Sequence, residues 1–338
     1  MNSKYQDILD SLSGGQLVQL GVNDRVLVVD SLNTFIRSFT VIKHVNRHAV
    51  PIGGLTGFLK SIAFAVKLVR PTRVFLVFDG DGSTTNKKYL YPEYKANRKI
   101  KRITNWDAYG NQEEESDSMT NQLLRLIDYL KCLPVDLISL PKIEADDVIG
   151  YISKQFNTEV TIMSSDQDYL QLVNDKITVY SPIKRIFYTP KVVKEEYGLP
   201  PENFLTRKIL LGDDGDNVPG VLGLGPKKLV KLFPEITTET PISLEEVITK
   251  SKEGLNPLYK KILNFEHQLH INRKLMDLHN PNISEDQLSK IHDTIDNPIK
   301  VLDIKGFNAL YEEDTLDNAI PNLTSWLYTH FNELSKYK

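Results

Sequence analysis

The sequence predicts an α/β fold in which a central, mostly parallel sheet is flanked by helices and followed by a helical C-terminal region. Three observations carry that prediction. Short apolar runs of strand length recur between Arg25 and Asp166, helix-period segments separate them, and after Pro190 the strand-like runs give way to helical segments divided by Gly and Pro.

Taken in order, residues 1–23 carry little pattern and form an N-terminal extension. RVLVVD (Arg25 to Asp30) is the first strand, an apolar run ending in a carboxylate. Gly54 to Val69 is helical and ends before Pro71, and RVFLVFD (Arg73 to Asp79) is the second strand. Met119 to Leu130 has helical spacing, with Leu123, Leu124, Ile127 and Leu130 on one face. Val135 to Leu140 is a third strand, Ile143 to Phe156 a helix, and Glu159 to Asp166 a fourth strand entering another helix. The boundary between the α/β part (24–189) and the helical part (190–338) falls near Thr189.

Composition narrows the function classes. The chain has 338 residues, with 41 Lys and Arg against 44 Asp and Glu, and a single cysteine, Cys132. That excludes a disulfide framework and a Cys-rich zinc site and predicts a reducing, cytoplasmic setting. The first residues lack a secretory pattern, and the apolar stretch Ser61 to Val69 is broken by Lys67, so no membrane association is expected. Charge is unevenly distributed. Lys87, Lys88, Lys95, Arg98, Lys99, Lys101 and Arg102 face Glu93 alone, interleaved with Tyr89, Tyr91 and Tyr94. Asp107, Glu113, Glu114, Glu115 and Asp117 follow. A charge run by itself is a solvated surface segment, but basic residues mixed with tyrosines suit phosphate contact and base stacking.

The chemistry is in the acids. Asp30, Asp79 and Asp166 each end a strand, and in open α/β sheets ligands gather beyond the carboxyl ends of the strands. One such Asp is a helix cap; three imply a shared acidic rim. Glu144 and Asp147 share a helix face at i, i+3 with Asp146 beside them, Asp168 follows Asp166, and Asp213 and Asp216 lie in the turn-rich LLGDDGDNVPG. Two such charges 4 Å apart repel by about 4 kcal/mol at an effective dielectric of 20. Convergence of these acids without His or Cys partners selects hard divalent ions, magnesium or manganese before zinc. DGDGST from Asp79 and DGDNVP from Asp214 are not calcium loops, because Leu90 and Gly225 stand where the closing Glu belongs. His44 and His48 lack a third ligand and read as surface residues, Phe35 reads as core, and Leu323, Trp326, Leu327 and Phe331 read as the buried face of a C-terminal helix. Leu32 argues against a phosphatase or phosphotransferase, whose nucleophilic Asp30 needs a second Asp two positions on.

YPEYKANR (91–98), IEADDVIG (143–150), SSDQDYLQL (164–172), GDDGDNVPG (212–220) and GVLGLGPKKL (220–229) resemble, in this order, the signature segments of the 5′-nuclease superfamily. That superfamily includes flap endonucleases, the 5′ nuclease domain of bacterial DNA polymerase I and phage 5′–3′ exonucleases. The resemblance runs from about Arg25 to about Phe233, and the chain looks most similar to the free-standing phage enzymes of the T-even ribonuclease H type.

The resemblance implies a PIN-like catalytic domain with a helical arch at about 84–118 and a DNA-binding helix–turn–helix at about 212–233. Asp30, Asp79 and Asp146, assisted by Glu144 and Asp147, would hold one magnesium ion. Asp166, Asp168 and Asp216, with Asp213, would hold a second, and manganese could replace either. Lys95 and Arg98 would contact the scissile phosphate from one helix face, and Tyr94 would stack on a base. Lys87 and Lys88, the glycines Gly220, Gly223 and Gly225, and Lys227 and Lys228 would grip nucleic acid. The implied protein is a monomer that removes RNA primers or 5′ flaps during replication of a bacteriophage, in the host bacterial cytoplasm. Its substrates would be branched or nicked duplex DNA and RNA–DNA hybrids with a 5′ end, and its C-terminal end would dock a single-stranded-DNA-binding protein. The rival reading is a catalytically silent nucleic-acid-binding protein of the same fold.

Overall fold

The computed structural model describes residues 20–99 and 105–337. Lys101, Arg102 and most of the N-terminal extension therefore lie outside the described residues. A six-stranded sheet has the order β3-β2-β1-β4-β5-β6, with β1 Arg25–Asp30, β2 Arg73–Phe78, β3 Asp136–Ser139, β4 Glu159–Met163, β5 Ile177–Ser181 and β6 Ile186–Tyr188. All pairings are parallel except β5 with β6. The apolar runs are continuous because both faces of the sheet are covered. Val26 and Val28 point into one core and Leu27 and Val29 into the other, all fully buried, and Val74 and Leu76 alternate with Phe75 and Val77 in the same way.

Two features are invisible to periodicity. Ser31–Val41, rich in Ser, Thr and branched residues, is a helix. Asp30 caps it by accepting from the Asn33 amide, the Thr34 and Ser38 hydroxyls return to the carbonyls four residues back, and Phe35 and Phe39 are buried. The hairpin β5–β6 completes the sheet with a strand of only three residues. The acidic block also acquires a role, for Glu113, Glu114 and Glu115 occupy the first turn of the helix Gln112–Lys131, where negative charge complements the helix dipole.

Residues after Thr189 pack in two places. Helices between Phe204 and Met276 build their own core around Leu210, Leu229, Phe233, Val247 and Leu269. The chain then returns to the sheet. Ile291 joins one face, while Phe307, Leu327 and Phe331 are fully buried on the other, beside the helix Gly53–Val69. Among the described residues, no helix is long and apolar enough to cross a membrane.

Arg73, at the start of β2, fastens this return. Its guanidinium meets Asp136 of β3 at 2.8 Å and donates to the carbonyls of Thr294 at 2.8 Å and Asn297 at 2.9 Å, at the end of the helix Glu285–Asp296. The pair is buried, so losing one partner strands the other charge. Arg73→Ala is expected to cost about 3–5 kcal/mol, read as a lower urea midpoint with unchanged slope; a midpoint equal to wild type contradicts the clamp.

Candidate metal-binding nuclease site

The carboxyl ends of β1, β2 and β4 deliver acids to one edge of the sheet, and the loops bring the rest. Asp30 is buried and accepts from the Ser164 hydroxyl at 2.9 Å and the Tyr169 hydroxyl at 3.3 Å. Asp79 follows β2 and accepts from the Ala145 amide at 3.0 Å, which fixes the start of the helix Ala145–Ser153. Glu144, Asp146 and Asp147 each place a carboxylate oxygen within 4.8 Å of the others. Asp166 caps the short 3-10 turn Gln167–Leu172, where a regular helix is predicted by the sequence, and accepts from the Asp168 amide at 2.9 Å.

Asp213 and Asp216 sit in the loop after the helix Phe204–Leu211. That loop is pinched at its neck. Gly212 has φ +75°, and a Cβ there would lie 2.4 Å from the Gly220 nitrogen, while one on Gly220 would lie 2.0 Å from the Leu211 carbonyl oxygen. Gly220 thus closes a loop, and at Gly225 a Cβ would meet nothing within 4 Å. Gly223 has φ +83°, and Lys228 donates to its carbonyl at 2.8 Å. Lys88 and Lys227 are exposed.

The acids form one electrostatic chain. Asp30 is repelled by Asp79 and Asp146, Asp166 by Asp146, and Asp216 by Asp213 and Asp168. Burial pushes Asp30 up to about 6, against the Ser164 and Asn33 hydrogen bonds. Burial likewise pushes Asp147 up to about 7 despite Lys87, and Asp168 up to about 7 despite Lys208. Asp79, Asp166 and Asp216 are raised by the same cause. Glu144 goes the other way, for Lys87 and Lys95 outweigh its burial and hold it at about 2.

Lysines thread the acids. Lys87 contacts Glu144 at 2.9 Å, Asp147 at 3.1 Å and Asp146 at 3.4 Å, so it faces the carboxylates rather than presenting a free cation to nucleic acid. Lys95 pairs with Glu144 and lies 3.7 Å from Asp216, bridging the two acid groups. Arg98 pairs with Asp216, its side chain 57% exposed and within reach of a ligand. The sequence reading of Lys95 and Arg98 on one helix face does not hold. Lys95 has φ +55° and precedes a 3-10 turn, Ala96–Lys99, because its amide is tied to the Asp216 carbonyl at 2.8 Å. Asn97 likewise donates to the Asp214 carbonyl at 2.8 Å.

Tyr94 also departs from expectation. Its ring is 2% exposed in the core of the 204–276 helices, with Lys95 over its face, and its hydroxyl donates to Glu144 at 2.9 Å and lies 3.2 Å from Asp216. It braces the site and offers no face to a base. Sequence reasoning missed Lys208, which is 6% exposed, pairs with Asp168 and contacts Asp213 at 2.8 Å. Its signal is a lysine within the apolar run before GDDGD.

Among the described residues, the ligand atoms grouped at this edge are the carboxylate oxygens of Glu144, Asp146 and Asp147, a set that fits hard divalent ions. The site is the acidic rim of a cleft of about 560 Å³, lined by Asp166, Asp168, Asp213 and Asp216.

The chain and its fold are similar to known proteins. Residues 25–198 match the family described as 5′-3′ exonuclease, N-terminal resolvase-like domain. The chain is 31% identical over 269 residues to the 5′-3′ exonuclease of Bacillus subtilis (strain 168), spanning 76% of this chain and 84% of that one. The fold superposes on the bacteriophage T5 5′-exonuclease with bound zinc at a TM-score of 0.65 and 22% identity, over 80% of this chain and 98% of that one. It also superposes on the T5 flap endonuclease in a pseudo-enzyme–product complex with DNA and metal ions, at a TM-score of 0.59 and 21% identity, over 89% of this chain and 98% of that one.

Ionised Asp30 is unfavourable in the metal-free fold. Its raised pKa means stability falls as pH climbs from about 3.8 to about 6 and stays reduced above. In chelator at pH 8, Asp30→Asn is therefore expected to stabilise the protein by about 2–3 kcal/mol, and magnesium to raise the melting midpoint of wild type more than that of the variant. A destabilised Asp30→Asn protein under those conditions contradicts the burial argument.

Proposed function

Since the chain belongs to the 5′-3′ exonuclease family and is a metal-dependent nuclease, we propose that it is a magnesium-dependent, structure-specific 5′ nuclease. It hydrolyses phosphodiesters in 5′ flaps, nicked duplexes and RNA–DNA hybrids, and removes primers during lagging-strand replication of a bacteriophage. The observation that carries this reading is the grouping of Glu144, Asp146 and Asp147, joined by mutual repulsion to Asp30, Asp79, Asp166, Asp168, Asp213 and Asp216, with Lys95 between Glu144 and Asp216. The likeness to a T5 flap endonuclease complexed with DNA and metal ions supports it.

Glu144, Asp146 and Asp147, with Asp30 and Asp79, would hold one ion, and Asp166, Asp168, Asp213 and Asp216 a second. Bound there, magnesium or manganese supplies Lewis-acid chemistry for attack of water on the phosphodiester. The remaining work belongs to the chain. A phosphate arriving over the acids competes with Glu144 for Lys95 and with Asp216 for Arg98, and both cations then offset charge that grows in the transition state. Tyr94 holds Glu144 and Asp216 at a fixed separation, because one hydroxyl spans both. Lys208 keeps Asp168 and Asp213 together across the cleft. The exposed Lys88, Lys227 and Lys228 are available to duplex backbone, the role proposed for the segment 212–233.

End-labelled flap, nick and RNA–DNA hybrid substrates test the reading. Cleavage is expected with magnesium and manganese and none in chelator; inactivity on every substrate refutes it. Asp146→Asn or Asp168→Asn should lower the rate at least about a thousandfold while DNA affinity holds within a few fold, and an active Asp168→Asn enzyme contradicts the metal assignment. Lys95→Ala should slow single-turnover cleavage about a hundredfold with little change in binding. A defect confined to affinity would remove Lys95 from the scissile phosphate.

A further inference from the structure

Four cations at the acidic edge, Lys87, Lys95, Arg98 and Lys208, are paired with carboxylates. Arg207 lines the same cleft, and its side chain makes no ion pair or hydrogen bond with any described residue. It is not left loose. Its guanidinium lies over Phe204 at 5.4 Å and over Tyr197 at 5.6 Å, and those rings pack edge to face 5.2 Å apart, so one aromatic pair holds it from one side and leaves its N–H groups without a partner. It is half-buried without a countercharge, a state that a fold avoids unless a ligand completes it. The buried Ser165 hydroxyl, which has no hydrogen-bond partner, lines that cleft too.

We propose that Arg207, in the cleft that Ser165 also lines, binds a backbone phosphate of the substrate strand next to the one that is cut. The five aspartates of the cleft, Asp166, Asp168, Asp213, Asp214 and Asp216, repel a free anion. An anion tethered to a strand already held at the reaction centre arrives at high effective concentration and overcomes that repulsion. The ligand is therefore a phosphate within a polynucleotide rather than a free small anion. On the helix Phe204–Leu211, Lys208 turns to the acids while its neighbour Arg207 serves the strand. This assignment rests on the nuclease reading above and adds a contact that sets how the strand lies.

The test measures binding of a fluorescein-labelled 5′-flap oligonucleotide to the full chain in calcium, across a series of salt concentrations. Arg207→Gln keeps a shortened stem and a planar, hydrogen-bonding head but removes the charge. It is expected to weaken binding about tenfold and to reduce the slope of log K against log salt by about 0.7–0.9, the loss of one phosphate contact. Arg207→Lys should restore the slope and only part of the affinity. A purely structural arginine would not change the slope, so a wild-type slope in Arg207→Gln overturns the assignment. Cleavage of the same oligonucleotide by wild type in magnesium reads the parent function separately. Intact cleavage with an unchanged slope discards Arg207 alone; absent cleavage and binding discard both.

Discussion

Mutual repulsion among buried carboxylates governs this molecule. Nine acids occupy one edge of the sheet, several of them withdrawn from water, and Asp30, Asp147 and Asp168 all hold their protons more tightly than isolated aspartates do. A fold can sustain this only by supplying positive charge. The chain supplies it from two separate segments. Lys87 and Lys95 come from the stretch after β2, and Lys208 from a helix far along the sequence. The basic run read as a nucleic-acid grip is therefore partly an internal counterion, and the same ammonium groups are what an incoming phosphate must share.

Topology explains how acids so distant in sequence meet. Parallel strands end on the same side, so Asp30, Asp79 and Asp166 converge without any special loop design. The other half of the site needs a built loop. The Gly212–Gly220 neck fixes the turn that carries Asp213 and Asp216, and the backbone of Lys95 and the side chain of Asn97 bond onto that turn. Strain at the left-handed Lys95 is held by these bonds, a usual condition of a pre-organised site.

The sheet and its acidic rim were legible because each rests on local pattern. Apolar runs of strand length announced β1, β2, β3 and β4, and carboxylates at their ends announced the rim. What failed depended on distant contacts. The helix Ser31–Val41 has poor intrinsic propensity and survives on its cap and on Phe35 and Phe39, and β6 is too short to signal itself. Tyr94 looked like a stacking platform because it neighbours basic residues, yet helices more than a hundred residues later bury it. Lys208 carried almost no sign, since a lysine in an apolar helix looks like a surface residue until its partners are known.

The return of Phe307, Leu327 and Phe331 to the sheet also orders events in time. During synthesis, the face of β1 that carries Leu27 and Val29 waits for some three hundred later residues before its covering is complete. A nascent chain that has not yet reached Phe331 therefore carries a partly uncovered apolar surface, and a message interrupted before that point leaves a product prone to aggregate.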